Sequence, residues 1–126
     1  MSPEVISLAI KDYFAAIRAM DKQAWLNAFA ENAISHDPVG APSINGHEKL
    51  AEFFDTITAA FKEVGLTEQD VFIAGNGAAV KWLGRGISKQ GKKVRFEGID
   101  IFEVNESGKI QIVHAYWNPA EMVAQL

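Results

Sequence analysis

The sequence predicts an α+β fold: a curved antiparallel sheet with three N-terminal helices folded over its concave face. Three observations lead there. Apolar residues recur at helical steps up to about residue 63 and at strand steps after Gly65. Helical and strand segments are segregated along the chain, which favours α+β over an alternating βαβ order. The strand segments are separated by short turn signals, Gly75-Asn76-Gly77, Gln90-Gly91 and Asn105-Glu106-Ser107-Gly108, so successive strands form hairpins. A sheet of this kind closed by helices makes a cone with an apolar interior.

Each element has its own signal. From Pro3 to Met20, Ile6, Ile10, Tyr13, Ile17 and Met20 fall on one helical face. Ser2 stands at the N-cap, Pro3 at the first helical position and Glu4 in the first turn. A second helix is expected over residues 21–29, capped by Asp21. A short strand over 33–37 ends at Pro38, since the residue before proline prefers extended backbone. A loop with two glycines and a proline follows, then a third helix over 47–63 with Leu50, Phe53, Phe54, Ile57 and Phe61 as its buried stripe. Strands are expected over 66–74, 78–89, 93–105 and 109–117, and a last helical turn within 119–126. Linkers, repeats and low-complexity stretches do not appear, and residues 1–126 read as one domain.

Composition narrows the function classes. Apolar residues make up 48% of the 126, enough for a core. A net charge of −4 argues against nucleic acid as a partner, and Lys89, Lys92, Lys93 and Arg95 read as a solvated hairpin tip. The chain has no cysteine, hence no disulfide or thiolate chemistry. The start Met-Ser-Pro-Glu-Val lacks a signal-peptide pattern, and no stretch approaches the ~20 apolar residues of a membrane span. A cytoplasmic protein without a membrane partner is the expectation. His36, His47 and His114 lack the spacing of metal ligands.

Three residues stand out for chemistry. In the strand over 93–105, Val94, Phe96, Gly98, Asp100, Phe102 and Val104 share one face, while Arg95, Glu97 and Glu103 lie on the other. Asp100 therefore points to the apolar side, where desolvation favours the neutral acid. The plain structural alternative is a buried aspartate that caps a turn or pairs with a hidden arginine. Tyr13 lies on the apolar stripe of the first helix, where a tyrosine commonly serves as core with its hydroxyl tied to a carbonyl. Asp37, before Pro38, has the setting of a turn residue bonded to nearby amides. One carboxylate and two proton donors are also what moving a proton beside a carbonyl group requires. Trp82 and Trp117 read as core or pocket wall. In the strand over 78–89, periodicity leaves open whether Val80, Trp82 and Gly84 or Lys81, Leu83 and Arg85 face inward.

The whole pattern resembles the Δ5-3-ketosteroid isomerases, within the SnoaL-like superfamily that includes nuclear transport factor 2. The resemblance runs from about Asp12 to Trp117. Its broad part is the first helix, Asp21, Phe29-Ala30-Glu31-Asn32-Ala33 and Ile44-Asn45-Gly46-His47-Glu48. Its narrow part is Tyr13, Asp37-Pro38-Val39-Gly40, Ile99-Asp100 and Ala115-Tyr116-Trp117 at matching separations. It implies a cystatin-like, nuclear transport factor 2-like (NTF2-like) cone. It implies Asp37 as the base, lying near the pocket mouth, and Tyr13 with protonated Asp100 as the oxyanion hole. That use of a carboxylic acid held neutral by an apolar site is the general chemistry described for ketosteroid isomerase itself. It further implies Phe54, Phe96, Val113, Ala115 and Trp117 as walls for a small apolar ketone, a 3-oxo-Δ5-steroid above all. No cofactor is called for, and a homodimer through the outer sheet face is expected. The sequence departs from some members at Phe29 and Phe54, where they carry tyrosines bonded to the oxyanion-hole tyrosine. Two alternatives stand beside this one: a polyketide cyclase, dehydratase or epoxide hydrolase of the same fold, and a non-catalytic ligand-binding or dimerisation domain.

Overall fold

Ser2 begins the fold by capping its first helix. The computed structural model describes residues 2–126. The Ser2 hydroxyl accepts from the Val5 amide at 3.3 Å, satisfying one of the free donors at the start of α1 (Pro3–Arg18). The buried face of α1 holds Ile6, Ala9, Ile10, Tyr13, Phe14 and Ala16. Asp21 caps α2 (Lys22–Asn27) through the Ala24 amide at 3.0 Å, and α2 buries Trp25 and Leu26. The third helix, α3 (Gly46–Thr58), turns Leu50 and Phe54 inward. A short α4 (Pro119–Val123) closes the chain, capped by Asn118. None of the helices is long and apolar enough to cross a membrane among the described residues.

Six strands make one sheet: β1 (Phe29–His36), β2 (Ile44–Asn45), β3 (Phe61–Ala74), β4 (Gly77–Ser88), β5 (Lys93–Val104) and β6 (Ile110–Tyr116), in the order β2-β1-β6-β5-β4-β3. The curved sheet under helices is the expected cone, with one correction. The sheet is mixed, because β1 pairs with β6 in parallel, Ser35 beside Val113 and His36 beside His114. Hairpin turns fix the direction only of strands adjacent in sequence. The chain returns to β1 after α3 and three further strands, and no local turn signal records that direction.

Two boundaries also shift. The chain leaves α3 at Thr58, whose hydroxyl bonds back to the Phe54 carbonyl at 2.8 Å, and β3 is already under way at Phe61. The step from Ile57 to Phe61 mimics a helical stripe, but Phe61 pairs with Ser88 and its ring packs on Gly86. Strand β1 likewise starts at Phe29 rather than Ala33, with a register irregularity between Phe29 and Ile34. The edge strand β3 is partly covered by Arg18, which donates to the Leu66 carbonyl at 2.9 Å and to Glu68 at 2.6 Å.

The alternation on β5 is as the sequence predicts: Val94, Phe96, Asp100, Phe102 and Val104 are buried, Arg95, Glu97 and Glu103 exposed. On β4, Val80, Trp82 and Gly84 face the interior, whereas Arg85 is exposed and stands opposite Arg95. The parity that the sequence leaves open is thereby resolved, and it takes Arg85 away from the cavity.

Candidate active site

The interior of the cone holds a narrow pocket, open to solvent at its mouth. Tyr13 from α1, Asp37 from the end of β1 and Asp100 from the middle of β5 all line it. The remaining walls are apolar or aromatic, with Phe54, Phe96, Trp82 and Trp117 among them.

Asp100 is 2% exposed. It sits between Val80 on β4 and Ala115 on β6, too far inside a strand to cap a turn. No cation pairs with it among the described residues, and its Oδ1 has no hydrogen-bond partner. Burial is the main cause that pushes its carboxyl up to about 8, and the Asp37 charge adds to the rise. The Trp82 indole acts in the opposite direction. It adjoins the acid without a formed hydrogen bond, since its Nε1 is also unpartnered.

Asp37 follows β1, and two residues on Val39 donates its amide to the Ala115 carbonyl at 2.9 Å, holding this turn against β6. Its carboxylate accepts a 2.6 Å hydrogen bond from Trp117 Nε1. The side chain keeps some exposure, yet it lies among apolar walls. That desolvation pushes its pKa up to about 6, while the indole bond pulls it down. The two carboxyls thus straddle neutrality: at pH 7 Asp37 is mainly ionised and Asp100 mainly neutral.

Tyr13 is 3% exposed. Its ring sits edge-on against Phe14 at 4.9 Å, Phe102 at 5.0 Å and Phe29 at 5.7 Å. Burial first, then the charges of Asp100 and Asp37, hold the phenol well above its ordinary value, so it stays protonated and able to donate.

The outer shape of the site depends on Gly98. A β-carbon there would lie 2.6 Å from the Trp82 ring, 2.7 Å from Trp117 Cβ and 2.7 Å from the Tyr116 carbonyl oxygen. The carbonyl belongs to the β5–β6 ladder and cannot step aside. Gly98→Ala is therefore expected to lower stability by about 1–3 kcal/mol, read as a lower urea midpoint at unchanged slope.

Of the residues expected in the wall, Phe54, Phe96 and Trp117 line the pocket. Val113 and Ala115 are fully buried on β6 and stand beside Phe102 and Asp100 in the ladder, behind the lining rather than in it. Trp25, Ile17, Ile57 and Leu66 line the pocket as well. The helical steps Tyr13–Ile17 and Phe53–Ile57 carry the signal for two of them. Nothing in the local sequence separates Trp25 from an ordinary core residue. The histidines stand apart. His47 Nε2 lies 3.1 Å from the Phe29 carbonyl, and His36 and His114 stack at 4.7 Å on the outer sheet face.

Comparison with known proteins agrees with this geometry at the level of family and fold. The model of the SnoaL-like domain matches residues 10–113. The steroid Delta-isomerase of Nocardioides simplex is 28% identical over 123 residues, covering 98% of this chain and 97% of that protein. Among solved structures, the Δ5-3-ketosteroid isomerase from a Mycobacterium species superposes with a TM-score of 0.82 at 20% identity, covering 94% of this chain and 96% of the other. The epoxide hydrolase/cyclase-like enzyme SalBIII, of pyran ring formation in the polyether salinomycin, superposes equally well, with TM-score 0.82, 23% identity and 94% of each chain. Identities this low make the two structural likenesses statements about fold alone.

Proposed function

This chain belongs to the SnoaL-like domain family, and we propose that within it the protein is a cofactor-independent isomerase that moves a β,γ double bond into conjugation with a ketone. The observation that carries the reading is the convergence in one apolar pocket of two carboxyls with pKa values on either side of neutrality, about 6 and about 8, and a protonated phenol. Asp37 takes the proton from the carbon between the ketone and the double bond. The electron pair left behind delocalises through the carbonyl to form a dienolate. Tyr13 and neutral Asp100 donate hydrogen bonds to its oxygen, where the charge collects. Asp37 then returns the proton two carbons further along, which leaves the conjugated enone and the regenerated base.

A flat apolar ketone suits the walls, and a 3-oxo-Δ5-steroid is the substrate proposed; the Nocardioides simplex relative supports that choice. A second copy of the chain would cover the outer sheet face, where Ile99, Ile101 and Tyr116 are exposed. An epoxide hydrolase would call for an arginine between two carboxylates. Arg85 lies on the other side of the sheet, and the described pocket lining contains no arginine.

The test is the growth of conjugated-enone ultraviolet absorbance with 5-androstene-3,17-dione. The expected pH profile of kcat/KM is a bell. It rises as Asp37 ionises near pH 6 and falls as Asp100 loses its proton near pH 8. Because the two carboxyls interact, the limbs belong to the pair, with Asp37 dominating the acid side. A folded protein with no turnover across that range would refute the isomerase reading.

A further inference from the structure

All three tryptophans of the chain line the pocket, and each lies beside a different titratable group. Trp117 bonds to Asp37 at 2.6 Å. Trp82 adjoins Asp100, and Trp25 adjoins Tyr13, with ring centroids 5.9 Å apart. Trp25 is the least expected of the three. It is 3% exposed, and its Nε1 is a fully buried donor with no acceptor among the described residues. A buried N–H without a partner is destabilising, so its retention calls for a reason.

The surroundings limit what that reason can be. Trp25 packs edge-on against Phe29 at 4.8 Å and tilted against Phe54 at 5.4 Å. Phe29 also touches the Tyr13 ring. None of these phenyl groups carries a hydroxyl. The indole N–H is thus the polar donor that this aromatic box offers to the phenol oxygen.

We propose that Trp25 is a positioning residue for Tyr13: its indole N–H donates to Tyr13 Oη and turns the phenolic O–H into the pocket. The inference rests on the reading of Tyr13 as a donor to substrate. A hydroxyl oxygen can accept one hydrogen bond while giving another, and accepting makes it the stronger donor. The two groups adjoin without closing the bond. Catalytic hydrogen bonds are often loose until charge develops on the ligand, and a partial charge on Oη is what would draw the indole in. Consistent with this placement, Trp25 acts to lower the phenol's pKa, against burial and the two carboxyls that raise it.

The chain has only two tyrosines, which permits a readout independent of turnover. In a Tyr116→Phe background grown with 3-chlorotyrosine, the sole chlorophenol is at position 13. Its ionisation falls in a milder pH range and is followed by phenolate absorbance. Trp25→Phe should raise that transition by about half a pH unit or more, because the phenolate loses a donor. If the smaller ring fails to keep the native near-ultraviolet circular dichroism, β-benzothienylalanine at position 25 keeps the indole's shape without its N–H and should give the same rise. An unchanged or lowered transition in a folded variant would overturn the proposal. A raised transition in a protein that fails to isomerise the steroid would uphold the Trp25–Tyr13 contact and reject the isomerase reading instead.

Discussion

Asp37→Asn is expected to lower kcat by a hundred- to ten-thousandfold, on the order of what a positioned general base contributes, with little change in KM. Asparagine keeps the size of the side chain and an oxygen that can accept from Trp117 Nε1, so the 2.6 Å contact and the shape of the pocket persist. What disappears is the basic lone pair and one negative charge. The missing charge should make the site a better host for anions. Asp37 is the second cause that raises Asp100 and the third that raises Tyr13, and its repulsion would act equally on a bound dienolate. A phenol that mimics the dienolate should therefore bind Asp37→Asn at least as tightly as the parent protein. Isothermal titration beside steady-state kinetics separates the outcomes. Lost turnover with retained phenol affinity identifies the base. Full turnover in the variant would place the base elsewhere, and a protein with neither property would be a scaffold without this chemistry.

The cone and its polar centre are legible in the sequence for different reasons. Period-two alternation on β5 fixes the side to which Asp100 points, because a strand side chain has only two choices. On β4 the same rule is silent: Trp82 and Leu83 are apolar on opposite faces, and glycines on one of them remove the contrast. Only pairing with β5, Val80 to Asp100 and Trp82 to Gly98, sets the inward face. The parallel β1–β6 pair and the early start of β3 escape for a related reason, since each is decided by contacts between residues far apart in sequence. The reach of Trp117 to Asp37, 80 residues away, belongs to the same class. So do the buried indoles of Trp25 and Trp82: a tryptophan on an apolar face reads as core until the direction of its N–H is known. Local patterns therefore reveal which residues are inside. Tertiary pairing determines which of them have polar atoms without partners.

Asp100→Asn separates the catalytic use of the buried acid from its thermodynamic cost, and its effects run in opposite directions. The ordinary carboxyl value of 3.8 describes the unfolded chain, and the folded protein holds Asp100 near 8. Between these values the folded state binds the extra proton. Stability from this group is thus full below about pH 4 and is lost as pH rises towards about 8. Integrated to neutrality, the loss amounts to at most about 4 kcal/mol. Asparagine does not titrate, so the variant should gain stability over the parent as pH increases. Urea midpoints should nearly coincide near pH 4 and diverge by about pH 8, with the variant the more stable. Activity should move the other way, down by about ten- to a thousandfold, because an amide N–H is a poorer donor to the dienolate oxygen than a carboxylic acid. The alkaline limb of the pH profile should disappear with the acid itself. An alkaline limb that survives the substitution would assign it to another group, and midpoints that run parallel at every pH would show that Asp100 does not hold its proton in the folded protein. Weaker turnover with greater alkaline stability is the trade expected of a carboxyl kept in an apolar site for its proton.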